Sequence, residues 1–294
     1  MTVTVVTGGA GFLGSHLADE LAERGHRVIV FDRKKAADPP ADSQQVVGAL
    51  DDFDLLCRTL EGADYVYHYA ALSDLNKARD LPRETVQANV AGTVNVLEAA
   101  RRADVKRFVF SSTIYVYSDE GSFYRASKQA CEAYIEEYQR RYGLAYTILR
   151  FGSLYGPRAD ESNGLYRLLR QAAREGKVRY YGEPEDAREY IHVADAARLS
   201  VDILAPEYAN QHLVITGHYP TRARDLFTMF SEILGREIQV EYAEPDIPDG
   251  HYRITPYHFH PRVGRKLTSN LYVDFGQGIL QVLEQISQEE RNNR

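Results

Sequence analysis

A glycine-rich turn close to the N-terminus constrains the fold more than any other feature of this sequence. Residues 8–14 have the spacing G-x-x-G-x-x-G, directly after the β-branched run 3–7 and before apolar residues that recur at helical spacing over 12–21. Strand, glycine turn and helix in this order let a backbone approach a pyrophosphate, whose charge the helix N-terminus stabilises. The first twenty residues therefore predict a dinucleotide-binding βα unit.

An acidic residue follows where such a unit would contact a ribose. The second apolar run, residues 27–31, ends in Asp32, about 20 residues beyond the glycines. A carboxylate there accepts hydrogen bonds from the adenosine ribose and repels a 2′-phosphate, so NAD is favoured over NADP. The basic residues 33–35 leave NADP open, because a flexible cation could reach a 2′-phosphate.

Strand-like and helix-like segments alternate as far as residue 150. Strands are predicted at 45–50, 63–70, 107–111 and 145–150, with helices at 55–60, 85–102 and 124–142. Repeated βαβ units predict an α/β fold with a Rossmann-type, doubly wound parallel sheet. Beyond residue 150 glycines and prolines interrupt shorter helices, which we expect at 165–174, 194–204, 221–234 and 277–287.

This change in composition and in the length of the helical segments predicts two structural parts. Residues 1–154 are expected to form an NAD-binding Rossmann domain, to which residues 190–216 return. Residues 155–189 and 217–294 are expected to form a smaller mixed α/β lobe that binds the substrate. A chain of 294 residues is long enough for this arrangement.

Composition excludes several classes of function. The net charge of −7 arises from interspersed charges without long blocks of one sign, which argues against nucleic-acid binding. Only Cys57 and Cys131 occur, so a disulfide framework is not expected and a reducing compartment fits. We expect a cytoplasmic protein without a membrane partner, since neither a signal sequence nor a membrane span is recognisable. No metal site is predicted, because the pair His258 and His260 lacks convincing further ligands.

Residues 111–128 hold the side chains best suited to chemistry. Thr113 ends a run that is predicted to be a buried strand, so its hydroxyl is expected at the edge where open α/β sheets bind ligands. Tyr124 and Lys128 are four residues apart, on one face of a helix. An ammonium beside a phenol favours the phenolate, so we expect Lys128 to lower the pKa of Tyr124. Such a pair also occurs on ordinary amphipathic helices, and its context decides its meaning.

Eight features in order supply that context. They are TGGAGFLG at 7–14, Asp32, YHYAA at 67–71, NVAGTVNVLEAA at 89–100, FVFSST at 108–113, YRASK at 124–128, LRFGSLYGPR at 149–158 and REYIHVADAA at 188–197. Together they resemble an extended short-chain dehydrogenase/reductase of the NAD-dependent nucleotide-sugar epimerase/dehydratase group, similar to the UDP-glucose 4-epimerases.

The resemblance implies roles for individual residues. Thr113 matches a residue that hydrogen-bonds the sugar hydroxyl being oxidised, Tyr124 matches the base that takes its proton, and Lys128 matches the residue that holds the nicotinamide ribose. Contacts to the cofactor NAD are implied for Gly8, Gly11, Phe12, Leu13, Gly14, Asp32, Leu50, Asp51, Ala70, Asn89, Tyr124 and Lys128. Contacts to the nucleotide-sugar substrate are implied for Thr113, Tyr124, Ser153, Asn163 and Arg188, the last on the diphosphate.

Departures from the group's pattern narrow the reaction. Ile114 and Tyr115 follow Thr113 where dehydratases carry an acidic pair, so elimination lacks its usual acid and 4-epimerisation is favoured. Asp119 and Glu120 stay open as substitutes. A reductase or dehydrogenase acting on a keto-sugar remains an alternative, and so does a non-enzymatic dinucleotide-binding regulator, although regulators generally lack the tyrosine or the lysine.

Two contacts and one loop also differ from the group. Ser153 stands where the group has an asparagine, and Ala49 where it often has an aspartate on the adenine amine, with Asp51 or Asp52 as replacements. Only ten residues lie between positions 113 and 124, so the pocket is expected to be more open there, or closed by residues 252–260.

The state of assembly is implied by the resemblance as well. The predicted helices 89–102 and 127–142 match the pair through which this group forms a homodimer by a four-helix contact. Their apolar residues could equally face their own sheet.

Overall fold

The computed structural model describes residues 1–244 and 265–292. Its strands, in chain order, are Val3–Thr7 (β1), Arg27–Asp32 (β2), Gln44–Val47 (β3), Tyr65–His68 (β4), Arg107–Thr113 (β5), Tyr146–Phe151 (β6), Ser153–Tyr155 (β7), Lys177–Tyr181 (β8), Ala187–His192 (β9), Gln211–Ile215 (β10), Pro220–Arg222 (β11), Gln239–Ala243 (β12) and Arg265–Leu267 (β13).

The helices surround these strands. They are Phe12–Glu23 (α1), Phe53–Leu60 (α2), Leu75–Asp80 (α3), Pro82–Thr85 (α4), Gly92–Arg102 (α5), Ser122–Tyr142 (α6), Gly164–Glu175 (α7), Val193–Asp202 (α8), Ala223–Leu234 (α9) and Phe275–Asn292 (α10). A π-helical segment, Val86–Ala91, joins α4 to α5, and 3-10 turns span Ile114–Tyr117 and Pro206–Tyr208. No helix in the described ranges combines the length and apolarity that crossing a bilayer demands.

The large sheet is parallel throughout and has the strand order β13-β10-β6-β5-β4-β1-β2-β3. The chain first adds β2 and β3 on one side of β1 and then β4, β5 and β6 on the other. The order therefore reverses between β1 and β4, and a crevice opens beyond the carboxyl ends of the strands at such a switch point. The prediction of a Rossmann-type parallel sheet is confirmed.

Both faces of this sheet are covered, which explains the continuous apolar runs in the sequence. On β5, Phe108 and Phe110 face a core shared with α2, α5 and α6. Val109 between them faces a second core shared with α1 and α8. A strand buried on both sides has no polar face, so residues 107–111 could be recognised as a strand from composition alone.

A second group of elements lies beyond the sheet. Strand β9 pairs parallel to β7 and antiparallel to β11, while β8 pairs parallel to β12. Helices α7, α9 and α10 pack around a third core, whose centre includes Leu169, Phe230 and Ile279.

Strand β13 is an exception to the predicted assignment of residues 217–294 to the second lobe. It pairs with β10 and forms the edge of the large sheet. Arg265 and Lys266 make this short strand charged, as is common at sheet edges, so no apolar run revealed it. The rest of the predicted domain division stays a prediction, and residues 252–260, with His258 and His260, lie outside the described residues.

Helix 85–102 was predicted as continuous, and the structure divides it. Helix α4 passes into the π-helical segment at Val86 and then into α5 at Gly92. A π-helical turn holds an extra residue and redirects the side chains within it, and such turns are frequent at functional sites. Asn89 lies in the middle of this one.

Candidate active site

A cleft of about 1480 Å³ opens at the carboxyl edge of the large sheet and reaches the elements that lie beyond the sheet. The residues predicted to contact cofactor or substrate line this cleft, except for Asn89 and Lys128. Those two are buried behind its wall. The structure therefore brings nearly all the predicted positions to one place.

The glycine turn leaves no room for side chains. A Cβ at Gly8 would lie 2.5 Å from the amide nitrogen of Ala70, and one at Gly14 would collide with the carbonyl of Gly8. Gly8 also has a φ of +75°, which favours glycine. Helix α1 begins directly afterwards without a side-chain cap, so its first amide groups remain available to an anion. This turn fits the pyrophosphate of a dinucleotide.

Asp32 is held in one orientation at the end of β2. Its Oδ2 accepts from the Ala10 amide at 3.1 Å, and its Oδ1 accepts from the Lys34 amide at 3.2 Å. The carboxylate thus lies between the glycine turn and the next loop, where it suits a ribose. Arg33 lines the cleft beside it.

The two aspartates considered as replacements at the adenine end have different environments. Asp52 caps α2 by accepting from the Leu55 amide at 3.0 Å. Asp51 lines the cleft together with Ala49. Asp51 is therefore the better placed of the two for an adenine amine.

The hydroxyl of Thr113 lies where β5 ends. Its Oγ1 caps the following 3-10 turn by accepting from the Tyr115 amide at 3.3 Å. Tyr124 lies in the first turn of α6 and lines the same part of the cleft. The strand end and the helix start thus place two hydroxyl groups on one wall.

Lys128 supports this wall from behind. Its ammonium donates to the Ser111 carbonyl at 2.6 Å and lies 4.6 Å from the centre of the Phe110 ring. The same nitrogen is 5.7 Å from the centre of the Tyr124 ring. The three predicted catalytic residues therefore come together, with the ammonium directed at a carbonyl.

The expected lowering of the pKa of Tyr124 by Lys128 is wrong for this arrangement. Burial raises the pKa of the Tyr124 phenol, and the nearby Cys131 thiol adds to the rise. Burial also lowers the pKa of Lys128 to about 8. The reason is that the ammonium contacts Ser111 rather than the phenol, so loss of hydration dominates both groups.

Asn89 does not reach the cleft, although it was predicted to contact the cofactor. Its Oδ1 accepts from the Leu72 amide at 2.7 Å, and its Nδ2 donates to the Leu72 carbonyl at 3.1 Å. The same nitrogen donates to the Ser127 hydroxyl at 2.9 Å. The π-helical segment thus turns Asn89 toward α6. There Asn89 joins the backbone of Leu72, which lines the cleft, to Ser127, the residue before Lys128.

The predicted substrate contacts line the far half of the cleft. Ser153 is in β7 and Arg188 is in β9. Asn163 caps α7 by accepting from the Tyr166 amide at 3.0 Å, and donates to the Leu154 carbonyl at 2.8 Å. Asn163 therefore shapes this half as well as lining it.

Two further arginines in this half were missed at the level of sequence. Arg167 donates to the carbonyls of Glu161 and Ser162, and the guanidinium of Arg179 lies 5.3 Å from the centre of the Tyr181 ring. Both line the cleft with Arg188. No motif marks them, and their only signal is that they lie between two predicted substrate contacts.

The short connection before Tyr124 folds tightly. After the 3-10 turn, Gly121 and Ser122 have φ values of +90° and +47° in succession. A Cβ at Gly121 would lie 2.8 Å from the Tyr115 ring, so the turn and the loop pack directly together. Glu120 lines the cleft, whereas the Asp119 side chain is exposed to solvent.

A buried ion pair lies behind this connection and was also missed. Arg150 and Glu132 are paired at 2.7 Å, with both side chains 1% exposed. Glu132 accepts from the Ser112 hydroxyl at 2.5 Å, and Arg150 donates to the Tyr117 hydroxyl at 2.6 Å. The pair therefore joins β5, β6, α6 and the 3-10 turn.

Comparison with known proteins identifies the family. A model of the NAD dependent epimerase/dehydratase family matches residues 4–215, which include the glycine turn, Thr113, Tyr124 and Lys128. The chain belongs to this family. The resemblance in the motifs is confirmed, and so is NAD as the cofactor of this NAD-dependent epimerase/dehydratase chain.

Individual family members are similar over most of their length. The putative UDP-glucose 4-epimerase of Methanocaldococcus jannaschii is 29% identical over 264 residues, which cover 82% of this chain and 85% of that protein. The structure of the UDP-glucose 4-epimerase of Thermotoga maritima with UDP-glucose has a TM-score of 0.85 and 26% identity, covering 98% of this chain and 100% of that one.

A decarboxylase is similar too. The UDP-N-acetyl-alpha-D-glucosaminuronate decarboxylase of Bacillus cytotoxicus is 29% identical over 223 residues, which cover 67% of this chain and 69% of that protein. Family membership therefore leaves the choice of reaction to the residues in the cleft.

Proposed function

We propose that this protein is a nucleotide-sugar epimerase that inverts C4 of a nucleoside-diphosphate hexose through a transient 4-keto sugar. The observation that carries the proposal is the shared wall of Thr113 and Tyr124, with Lys128 behind it and no carboxylate directly after Thr113. Ile114 is buried in that place, and Tyr115 packs on Gly121.

The residues divide the proton chemistry between them. Thr113 orients the C4 hydroxyl by hydrogen bonding, and Tyr124 takes its proton and later returns it. NAD, when bound, would supply the hydride acceptor and donor. Lys128 fixes the wall through the Ser111 carbonyl. One proton and one hydride leave the sugar and return, so no net redox change results.

The far half of the cleft supports the choice of substrate. Arg167, Arg179 and Arg188 line it together, and guanidinium groups bind phosphates with paired donors. A nucleoside diphosphate is the natural occupant of such a site. The sugar would then lie toward Tyr124.

A second candidate reaction rests on Glu120. This acid lines the cleft, as Tyr124 does, whereas Asp119 does not. In that position it could serve as the acid that a dehydratase requires. A reductase acting on a keto-sugar would use the same Thr113 and Tyr124.

The test is a panel of UDP-, GDP-, CDP- and dTDP-hexoses incubated with the protein as purified. The proposal expects an epimerised sugar, NAD retained through purification and no accumulation of NADH. Steady consumption or production of NADH would instead indicate a reductase or dehydrogenase, and loss of water from the sugar would indicate the dehydratase.

For assembly, we propose a homodimer through α5 and α6. Phe123, Tyr134 and Tyr142 are large, exposed residues of α6, and the first two are three helical turns apart on one face. Burial of such residues against a second copy is favourable. Light scattering should give twice the chain mass, and Tyr134→Glu should halve it, since the new charge would be buried.

We also propose a cytoplasmic location, which the free thiols of Cys57 and Cys131 fit.

A further inference from the structure

A row of buried polar side chains connects the glycine turn to the catalytic helix. It consists of Thr7, His68, Thr93 and Asn89, which we call the buried polar chain. Thr7 ends β1 directly before Gly8, His68 ends β4, and the other two lie on α5 and the π-helical segment. All four are at most 1% exposed, so no bulk water competes for their hydrogen bonds.

Neighbouring side chains of the buried polar chain are within hydrogen-bond distance of one another. Oγ1 of Thr7 lies 2.7 Å from Nδ1 of His68, and Nε2 of His68 lies 2.9 Å from Oγ1 of Thr93. The Thr93 hydroxyl also contacts the Asn89 carbonyl, one helical turn earlier. The Cys131 thiol approaches the same carbonyl at 3.2 Å.

The direction of each hydrogen bond can be worked out from the Asn89 end. A carbonyl only accepts, so the single proton of the Thr93 hydroxyl is donated to Asn89. Toward His68 the Thr93 oxygen, which the Cys131 thiol also approaches at 3.4 Å, can then only accept, so His68 must carry a proton on Nε2. A neutral imidazole has one proton, so its Nδ1 accepts from the Thr7 hydroxyl. The Ala70 amide, at 3.4 Å, is the remaining donor to the Thr7 oxygen.

The surroundings of His68 keep it neutral. Burial, together with the positive charge of Lys128, lowers the pKa of His68 to about 3. The ring packs between Phe108 and Phe110, with ring centres 5.9 Å apart in both cases. Its direct hydrogen-bond partners, Thr7 and Thr93, are uncharged.

The chain continues to the backbone of the catalytic tyrosine. The Asn89 amide donates to the Ser127 hydroxyl, and that hydroxyl donates to the Tyr124 carbonyl at 2.7 Å. The same amide holds both backbone groups of Leu72, which lines the cleft. His68 itself does not line the cleft, so we expect it to act through other residues and not by direct contact with cofactor or substrate.

We propose that His68 is a positioning residue, held as the Nε2–H tautomer, that fixes the spacing between the glycine turn and the helix start that carries Tyr124. One imidazole bridges β1 and α5 with a donor on one side and an acceptor on the other. The inference deepens the proposed function, since it rests on Tyr124 as the base, but the tautomer itself does not depend on the reaction.

The first experiment is spectroscopic and needs no substrate. Long-range ¹H–¹⁵N correlation of the full-length protein, labelled with ¹⁵N-histidine, distinguishes the two tautomers, and His68→Gln assigns the signal among nine histidines. We expect a protonated Nε2 and an unprotonated Nδ1, unchanged from about pH 5 to 8, where an ordinary histidine titrates. An Nδ1–H tautomer, or a protonation step in that range, would overturn the proposal.

The second experiment separates positioning from simple packing. His68→Leu removes donor and acceptor, whereas His68→Gln keeps one of each in its amide. With the best sugar of the panel, His68→Leu should lower kcat by about 100-fold, the cost of a small misplacement of the base, with KM nearly unchanged. His68→Gln should recover most of that loss.

Isosteric variants cover the case in which His68→Leu does not fold. Thr93→Val removes only the hydroxyl that sets the hydrogen-bond directions in the buried polar chain. Thr59→Val is the control, because Thr59 is also buried and its hydroxyl donates to the Leu55 carbonyl of its own helix. Thr93→Val should lower kcat and NAD retention, and Thr59→Val should change neither. Equal behaviour of the two folded variants would overturn the proposal. If the wild type converts no sugar, the proposed function fails, and the tautomer and NAD retention still decide the inference.

Discussion

The two halves of the cleft are built differently. On the cofactor side Thr7, His68, Asn89 and Lys128 are at most 2% exposed and are fixed by hydrogen bonds within the core. On the substrate side the Arg179 side chain is 55% exposed and pairs with Glu241 at 3.5 Å. In the proposed reaction the catalytic geometry is therefore set by the folded core, whereas the choice of substrate would depend on exposed groups such as Arg179.

The largest effect is expected for Tyr124→Phe on the buried side. Loss of the phenolic oxygen removes the proposed base, so kcat should fall by about 1000-fold while NAD stays bound. Tyr219→Phe is the matched control, since Tyr219 is exposed and does not line the cleft. Turnover that survived Tyr124→Phe would show that another group takes the proton.

The glycine turn should respond to a single methyl group. Gly14→Ala places a Cβ against the Gly8 carbonyl, so the turn must shift, and the purified protein should lose its NAD. Gly164→Ala is the control, because a Cβ there meets open space. The amount of bound NAD per protein chain, measured by absorbance after purification, checks both variants. An equal NAD content in the two would contradict the assignment of the turn.

On the substrate side a smaller effect is expected. Arg188→Lys keeps the charge and removes the paired donors, so KM for the nucleotide sugar should rise about tenfold with kcat little changed. Lys266→Arg is a charge-preserving control in the same part of the structure, since Lys266 contacts Glu189 and does not line the cleft. A fall in kcat with constant KM would assign Arg188 to the buried side of the comparison.

The smallest effect concerns the pH dependence of stability. The pKa of Lys128 is about 8 in the folded protein and 10.5 for an ordinary lysine. Between these values the unfolded chain binds a proton that the folded protein has released, so the free energy of unfolding should rise with pH. Urea unfolding should show this rise for wild type and for the exposed-site control Lys34→Met, but not for Lys128→Met. Parallel curves for wild type and Lys128→Met would contradict it.

The same contrast explains what could be predicted from the sequence. Gly8, Gly14 and Asp32 could be recognised because each meets a local demand, of conformation or of position at a strand end. Such local signals do not depend on how the rest of the chain packs. Thr113, Tyr124 and Lys128 could be recognised as a group only through the family resemblance, since a tyrosine four residues before a lysine is common on ordinary helices.

Other features depend on how distant segments meet. The pair of Glu132 and Arg150 forms only when α6 packs behind β6 in one register, and its two residues are 18 positions apart in the sequence. The lowering expected for the pKa of Tyr124 failed because the Lys128 ammonium is directed at the Ser111 carbonyl of another element. The spacing of two residues in the sequence shows whether they share a face of a helix. It does not show which group on another element a lysine ammonium contacts.

One measurement tests the central claim most directly. A nucleotide hexose that the panel identifies as substrate is prepared with deuterium at C4 and followed by NMR until the two sugars reach equilibrium. An epimerase that removes and returns the same hydride keeps the deuterium at C4 of both sugars, without NADH accumulating. Deuterium that was lost from C4, or found at another carbon, would contradict the account.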